Sequence, residues 1–359
     1  MNILNRFPID KGIIISVGVL MVLGLTTLFS INPAFFISQL LYLGISLAAF
    51  FFFSQLNYKV VQNYMLVFYV GSLVFLLIVL FIGIESRGAI RWIDIFGIRI
   101  QFSEILKPFL LVSLCSFLAR RDTSVRTLTT CSLLMLPIVL LIFLQPDLGN
   151  ALIYVITSLF VFIIFGFSFL WFGLGLAIAG ALTPFMWGHL HEYQRQRILT
   201  FLYPAKDPLG KSYNAIQSII AVGSGRFFGK GFNESTQSGL RFLPERHTDF
   251  IFATLSEGLG FIGAFAVVGM FCFLLYRIFI MYISLDDPFC KLFAASTFFV
   301  LLVQFFINVG MNIGIVPVVG ITLPFVSYGG SSLLSNFILL GLLASMASAS
   351  KRKGVLEIR

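Results

Sequence analysis

The feature that most limits what this chain can fold into is the recurrence of apolar runs about as long as a membrane is thick. A helix crossing a bilayer needs roughly 20 apolar residues. Runs of that order lie at 12–30, 35–54, 64–84, 103–118, 128–144, 148–165, 170–187, 250–283, 292–312 and 325–348. With 58% apolar residues, 43 Phe, only 11% charged residues and a mean hydropathy of +0.99, the chain cannot bury its apolar surface in one water-soluble core. The expected fold is an all-α polytopic membrane protein of about ten transmembrane helices, a single domain over residues 1–359. Its one long polar connection, residues 188–249, falls between the seventh and eighth helices. The division of 128–187 rests on two breakers, the run QPDLG (Gln145 to Gly149) and Gly166 to Ser168.

Charge sets the orientation. Twelve Lys and Arg lie in the short connections on the side of the termini, against three (Arg87, Arg91, Arg99) in the opposite short loops. The excess of basic residues in short cytoplasmic loops therefore places both ends in the cytoplasm. Eight more, among them Arg195, Arg197, Arg226, Lys230 and Arg246, sit in the long loop, which by its length escapes that rule. They point to an anionic ligand on the outer face. The net charge of +9 is dispersed in clusters between spans, which fits lipid headgroups and phosphate-bearing substrates and not nucleic acid. The N-terminus, with Arg6 and Lys11 ahead of an apolar run and no small-residue cleavage site, reads as an uncleaved first span. The four cysteines show neither a disulfide framework nor zinc spacing.

Ionisable residues inside or beside apolar spans are the candidates for function, because an unpaired charge at the bilayer centre costs about 2.5–3.5 kcal/mol on insertion scales. They are Glu104, Lys107, Asp147, Asp249 and Glu257. Glu104 and Lys107, three apart on one helix, share a face and can simply neutralise each other. Asp147, after Pro146, can cap the next helix or serve a ligand, and the sequence leaves both open. Asp249 also precedes a helix, yet Glu245, Arg246 and His247 stand just before it under a basic loop, which favours a functional carboxylate. Two further signals are weak. GSGRFFGKG (Gly223 to Gly231) lacks the spacing and the terminal Ser or Thr of a phosphate loop, and His189, His191 and His247 show no metal-binding pair.

The runs RWI (Arg91 to Ile93), RIQFSEILK (Arg99 to Lys107), QPDLGNA, HEYQRQRI, DPLGKSY, FLPERHTDFIFA (Phe242 to Ala253) and PVVGITLPFVSYGGSS (Pro317 to Ser332) together resemble the SEDS family of shape, elongation, division and sporulation proteins, most closely its rod-shape branch. The resemblance covers essentially the whole chain. It implies a peptidoglycan glycosyltransferase in the bacterial cytoplasmic membrane that polymerises lipid II on the outer face during elongation, beside a class B penicillin-binding protein. By the same resemblance Asp249 is the catalytic carboxylate, and Arg99, Glu104, Lys107, Gln194 and Arg197 belong to the substrate site, to which Asp147 and Glu257 are added as buried acids. Four positions depart from the family pattern: Phe102, Asn150, Arg226 in place of a glycine, and Gly258 in place of a second glutamate.

The chemistry agrees with the residues. Glycosyl transfer from a diphosphate-linked sugar already has a good leaving group, so it needs cations (Arg, Lys or a divalent ion) for the departing charge and one base for the acceptor hydroxyl. No other cofactor is implied. Two other readings compete: a lipid II flippase, for which Glu257 is the best residue, and the division paralogue with the same chemistry. A non-catalytic scaffold explains the apolar surface but not an acid beneath a basic loop.

Overall fold

The computed structural model describes residues 10–356 apart from 87–88, 96, 190–191, 208–209, 211, 233 and 241. Among these, eight helices are long and apolar enough to cross a membrane: α1 (Lys11–Ile31), α2 (Pro33–Gln55), α4 (Met65–Ile82), α7 (Val125–Leu144), α8 (Leu148–Phe165), α12 (Ile251–Ser284), α13 (Pro288–Asn312) and α14, of which Gly330–Ser350 is the apolar part. α3 (Tyr58–Asn63) is a short link. The other two expected spans are shorter. Residues 103–118 form α5 (Phe102–Ile105) and α6 (Lys107–Leu118), separated at Leu106, and 170–187 lie in α9 (Phe169–His189).

Helix boundaries follow local chemistry. Asp10 caps α1 by accepting from the backbone of Gly12 and Ile13. Asn32 ends α1 and caps α2, whose first residue is Pro33, and Asp287 with Pro288 opens α13 in the same way. Gly166 ends α8 in the left-handed conformation, φ 105°. The last helix begins at Gly330, five residues later than its apolar run suggests, because 325–329 are drawn into the interhelical connection described below.

The helical architecture carries one further element. Residues 84–100 form a three-stranded antiparallel ribbon, β1 (Ile84–Ser86), β2 (Ala89–Ile95) and β3 (Ile98–Ile100). Its Ile-rich segments fit a pleated surface better than a helix. The second turn is closed by Gly97, at φ 82°, donating to Asp94 Oδ1 at 2.7 Å. The long loop also holds two helices, α10 (Glu192–Leu202) and α11 (Tyr213–Ser224).

The two ends of the bundle differ. At one end Asp10 meets Arg277, Tyr58 donates to Asp287, Arg120 donates to Asn63, and Ser345 lies against the Leu56 carbonyl. At this end burial acts to raise the Asp10 carboxyl, but the hydrogen bonds and charge of Arg277 outweigh it and hold the group below its ordinary range. A depressed carboxyl stabilises the fold above its unfolded pKa and loses that contribution as pH falls through the folded value. Arg277→Ala should therefore lower stability at neutral pH, with the difference from wild type closing in acid, as read from thermal unfolding across pH.

Candidate active site

At the opposite end, residues 317–329 of the connection between α13 and α14 are largely buried and gather polar residues around them. Its first neighbour is the turn that leads into α12. Ser327 donates through its hydroxyl to the Thr248 carbonyl at 2.7 Å, and the Tyr328 amide donates to the His247 carbonyl at 3.0 Å. Asn308 and Asn312, one turn apart on α13, both donate to the Asp249 carbonyl at 3.0 Å. Asn308 also donates to Ile321, and Asn312 accepts from the Ala253 amide. The His247 ring stacks on Phe35 with centroids 4.4 Å apart. With the carbonyls of three consecutive residues held, the position of the half-buried Asp249 side chain is set by backbone that has little freedom. Phe250, not Asp249, occupies the cap position of α12.

The Asp249 carboxylate lies against Gly320. A methyl group built on that glycine would sit 3.3 Å from Asp249 Oδ2, and Gly320 has φ 74°, which other residues rarely adopt. One residue earlier, the Val319 carbonyl accepts from Arg197 on α10 at 3.2 Å. The segment 319–320 thus touches both the acid and the cation, which lie 52 residues apart in the sequence. Arg197 also lines a cavity of about 310 Å³ with Gln196, Thr200, Asn214 and Val318.

A second polar cluster lies on the other flank of the same connection, where Gln101 donates its amide to Ser331 Oγ at 3.0 Å. Here Asp147 Oδ2 accepts from Gln101 at 2.7 Å, Ser103 at 2.9 Å and Asn150 at 2.9 Å, while Asp147 Oδ1 accepts from the Asn150 amide at 3.4 Å and lies 3.6 Å from Arg91. Asp147 is both the cap of α8 and the centre of this knot. Lys107 and Glu104 form a buried ion pair at 2.6 Å, so the neutralising partnership suggested by their spacing is present. Arg99 is exposed on β3. Gln194 lies on α10, but its side chain is outside the described residues.

Glu257 has a different surrounding from the one expected of a substrate ligand or a transport route. It is 0% exposed. Its Oε1 accepts from the amides of Thr236 and Gln237 at 2.8 and 2.9 Å and from the Thr236 hydroxyl at 3.3 Å, and its Oε2 from the Ser238 amide and hydroxyl at 2.9 and 2.6 Å. Three successive backbone N–H groups around one anion make a nest, filled here by the chain's own carboxylate.

Beside it the GSGRFFGKG run finds its use. α12 is interrupted at Gly260, φ 68° and ψ −160°. The loop repairs the break: Phe261 and Ile262 donate to the carbonyls of Arg226 and Phe227 at 2.8 and 3.3 Å, and Lys230 and Gly231 donate to those of Glu257 and Gly258 at 3.0 Å each. A methyl on Gly260 would lie 2.2 Å from the Gly229 nitrogen. Arg226, which replaces a glycine of the resembled family, sits at φ 50°. Gly258, which replaces a glutamate, faces the Phe232 ring, so close that a methyl there would be 2.4 Å from it.

Among the described residues no three His, Cys, Asp or Glu side chains come together as a metal site. The residues that sequence reasoning passed over are Asn308 and Asn312. Two asparagines four apart in an apolar span were the available signal, missed because the search was confined to charged groups.

Comparison with known proteins gives a consistent result. The profile of the FtsW, RodA and SpoVE family, described as a cell cycle protein, matches residues 8–352. Peptidoglycan glycosyltransferase MrdB of Escherichia coli is 37% identical over 302 residues, 83% of this chain and 81% of that protein. Stage V sporulation protein E of Bacillus subtilis is 32% identical over 353 residues, 94% of this chain and 95% of that one. Among solved structures, a chain from work on the structural coordination of polymerization and crosslinking by a peptidoglycan synthase complex superposes with a TM-score of 0.84 at 30% identity, covering 95% of this chain and 98% of that chain. The rod shape determining protein RodA of Thermus thermophilus superposes with a TM-score of 0.73 at 28% identity, covering 95% and 97%.

Proposed function

Because this chain belongs to the SEDS family of FtsW, RodA and SpoVE proteins and is a membrane-embedded peptidoglycan glycosyltransferase, we propose that Asp249 is the base with which it polymerises lipid II. The carboxylate takes the proton of the acceptor sugar's 4-hydroxyl, and that oxygen forms a bond to the anomeric carbon of the donor. The bond from that carbon to the diphosphate breaks, and its electron pair leaves with the polyprenyl diphosphate. The observation that carries this reading is the contact of Asp249 with Gly320 beside the carbonyl that holds Arg197. These two contacts, on adjacent residues of one segment, support a base working beside a cation, as the reaction requires.

Asp249 lies at the end of the bundle opposite Asp10, and the positive-inside count puts that end outside the cytoplasmic membrane, with both termini in the cytoplasm. The partner is a class B transpeptidase that crosslinks the strands. A role in elongation, as for the rod-shape relatives, is the reading adopted. Arg197 holds the acceptor chamber and Asp147 braces the second cluster. Glu104, Lys107 and Arg99 border the substrate through that cluster and the ribbon.

Purified protein with its transpeptidase, supplied with labelled lipid II in vesicles, tests the assignment. Wild type should give polymer, and Asp249→Ala and Asp249→Asn should not. Polymer from both variants overturns the base, and lipid II crossing the bilayer without polymer would make the protein a transporter. Arg197→Ala should raise the KM for lipid II about tenfold, the loss of one charge-assisted contact, as measured by initial polymerisation rates.

A further inference from the structure

α2 is exposed along most of its length, and its buried residues Gln39, Ser46 and Phe50 fall on one face. Phe35, four residues before Gln39, and Tyr42, three after it, extend the same stripe. Its inner part packs on α14: Phe50 meets the Phe337 ring, and a methyl on Gly341 would lie 2.8 Å from the Phe50 carbonyl. Its outer part grips the turn that carries Asp249.

Two routes lead from the stripe to that turn. Gln39 is buried with both ends of its amide engaged: Nε2 donates to the Ser327 carbonyl at 3.1 Å, and Oε1 accepts from the Gly329 amide at 3.2 Å. Ser327 in turn donates to the Thr248 carbonyl. The second route is made of rings. Phe35 stacks on His247 with centroids 4.4 Å apart and planes 5° from parallel. Tyr328 lies 5.1 Å from Phe35 and 5.7 Å from His247, closing a triangle, and the Tyr42 side chain is hydrogen-bonded to that of Tyr328.

We propose that Phe35 and His247 are positioning residues of the transferase, whose stack fixes the direction in which Asp249 presents its carboxylate. The proposal rests on the reading of Asp249 as the base. A carbonyl accepts donors over a broad range of directions, so the bonds to the carbonyls of 247–249 hold three oxygens and still let the turn roll about them. A ring lying flat on a ring resists that roll. His247 is two residues from Asp249, at most about 7 Å of chain, so a tilt of the imidazole is passed on to the carboxylate. The turn also needs a restraint of this kind. Glu245, whose carbonyl accepts from the Thr248 and Phe250 amides, sits at φ 52°, a conformation that a residue with a side chain keeps only where its surroundings enforce it. The working part of the imidazole is therefore its plane and not its nitrogens.

The test is the initial rate of lipid II polymerisation by the full chain with its transpeptidase, resolved into kcat and KM. Phe35→Leu, which keeps the bulk and loses the plane, and His247→Ala should each lower kcat between about 10- and 100-fold, the effect of a small displacement of a catalytic group, with KM within about twofold of wild type. The double variant should be no slower than the slower single one, and His247→Phe should recover most of the rate that His247→Ala loses. Phe36→Ala, which alters the neighbouring ring that pairs with Phe29 on α1, should turn over at the wild-type rate. A raised KM at unchanged kcat, losses that multiply in the double variant, His247→Phe as slow as His247→Ala, or wild-type kcat in Phe35→Leu overturns the proposal. Asp249→Asn, measured by itself, judges the base, so failure of one assignment is distinct from failure of the other.

Discussion

Asp249→Asn should lower the polymerisation rate at saturating lipid II by about 10²–10⁴-fold, the range that a positioned general base contributes. The amide keeps the size and much of the hydrogen-bonding of the acid. The Asp249 carbonyl keeps its bonds from Asn308 and Asn312, and the neighbouring turn keeps Ser327 and Tyr328. The variant should therefore fold, bind lipid II with nearly unchanged affinity and fail only in turnover. A binding measurement beside the rate gives the check: equal affinity with lost rate marks a base, whereas lost affinity marks a ligand.

Glu257→Gln should act by another route. The carboxylate only accepts, and it accepts five times from residues 236–238. A glutamine amide points two N–H groups at donors that have nowhere else to turn. Leaving buried donors unpaired costs about 1–3 kcal/mol each. A net loss of about 3 kcal/mol would reduce the docked form of the loop roughly a hundredfold. Hydrogen exchange of the amides at 236–238 should rise steeply in this variant and stay at the wild-type level in Asp249→Asn. Activity should fall in both, so exchange is the measurement that separates a positioning residue from the base.

The fold was legible where apolar runs end in strong punctuation. α8 runs from Leu148 to Phe165, the bounds expected from Asp147 and Gly166, and α1, α2 and α4 agree to within two residues at each end. Legibility failed where tertiary contacts override the local pattern. Phe325 to Gly329 look like the start of a span, but their backbone is used by Thr248, His247 and Gln39. The β-ribbon was missed because its segments are short and lie between membrane spans. The motifs located the candidate acid, but nothing local in the sequence reveals that Arg197 bonds to Val319, 122 residues away, next to the glycine that faces Asp249. Glu257 stood out correctly as a buried charge, and its partners were invisible because three of its five bonds come from backbone amides, which every residue has.

The repair at Gly260 has a consequence for how the protein is made. A helix broken inside hydrocarbon exposes N–H and C=O groups that lipid cannot satisfy, and here their partners lie about 30 residues earlier in the chain. The ribosome therefore releases the complementary strand before the helix that depends on it, and the outer turns of α12 can enter the bilayer already escorted. Cutting or transplanting either piece alone would leave the other's backbone groups without these partners.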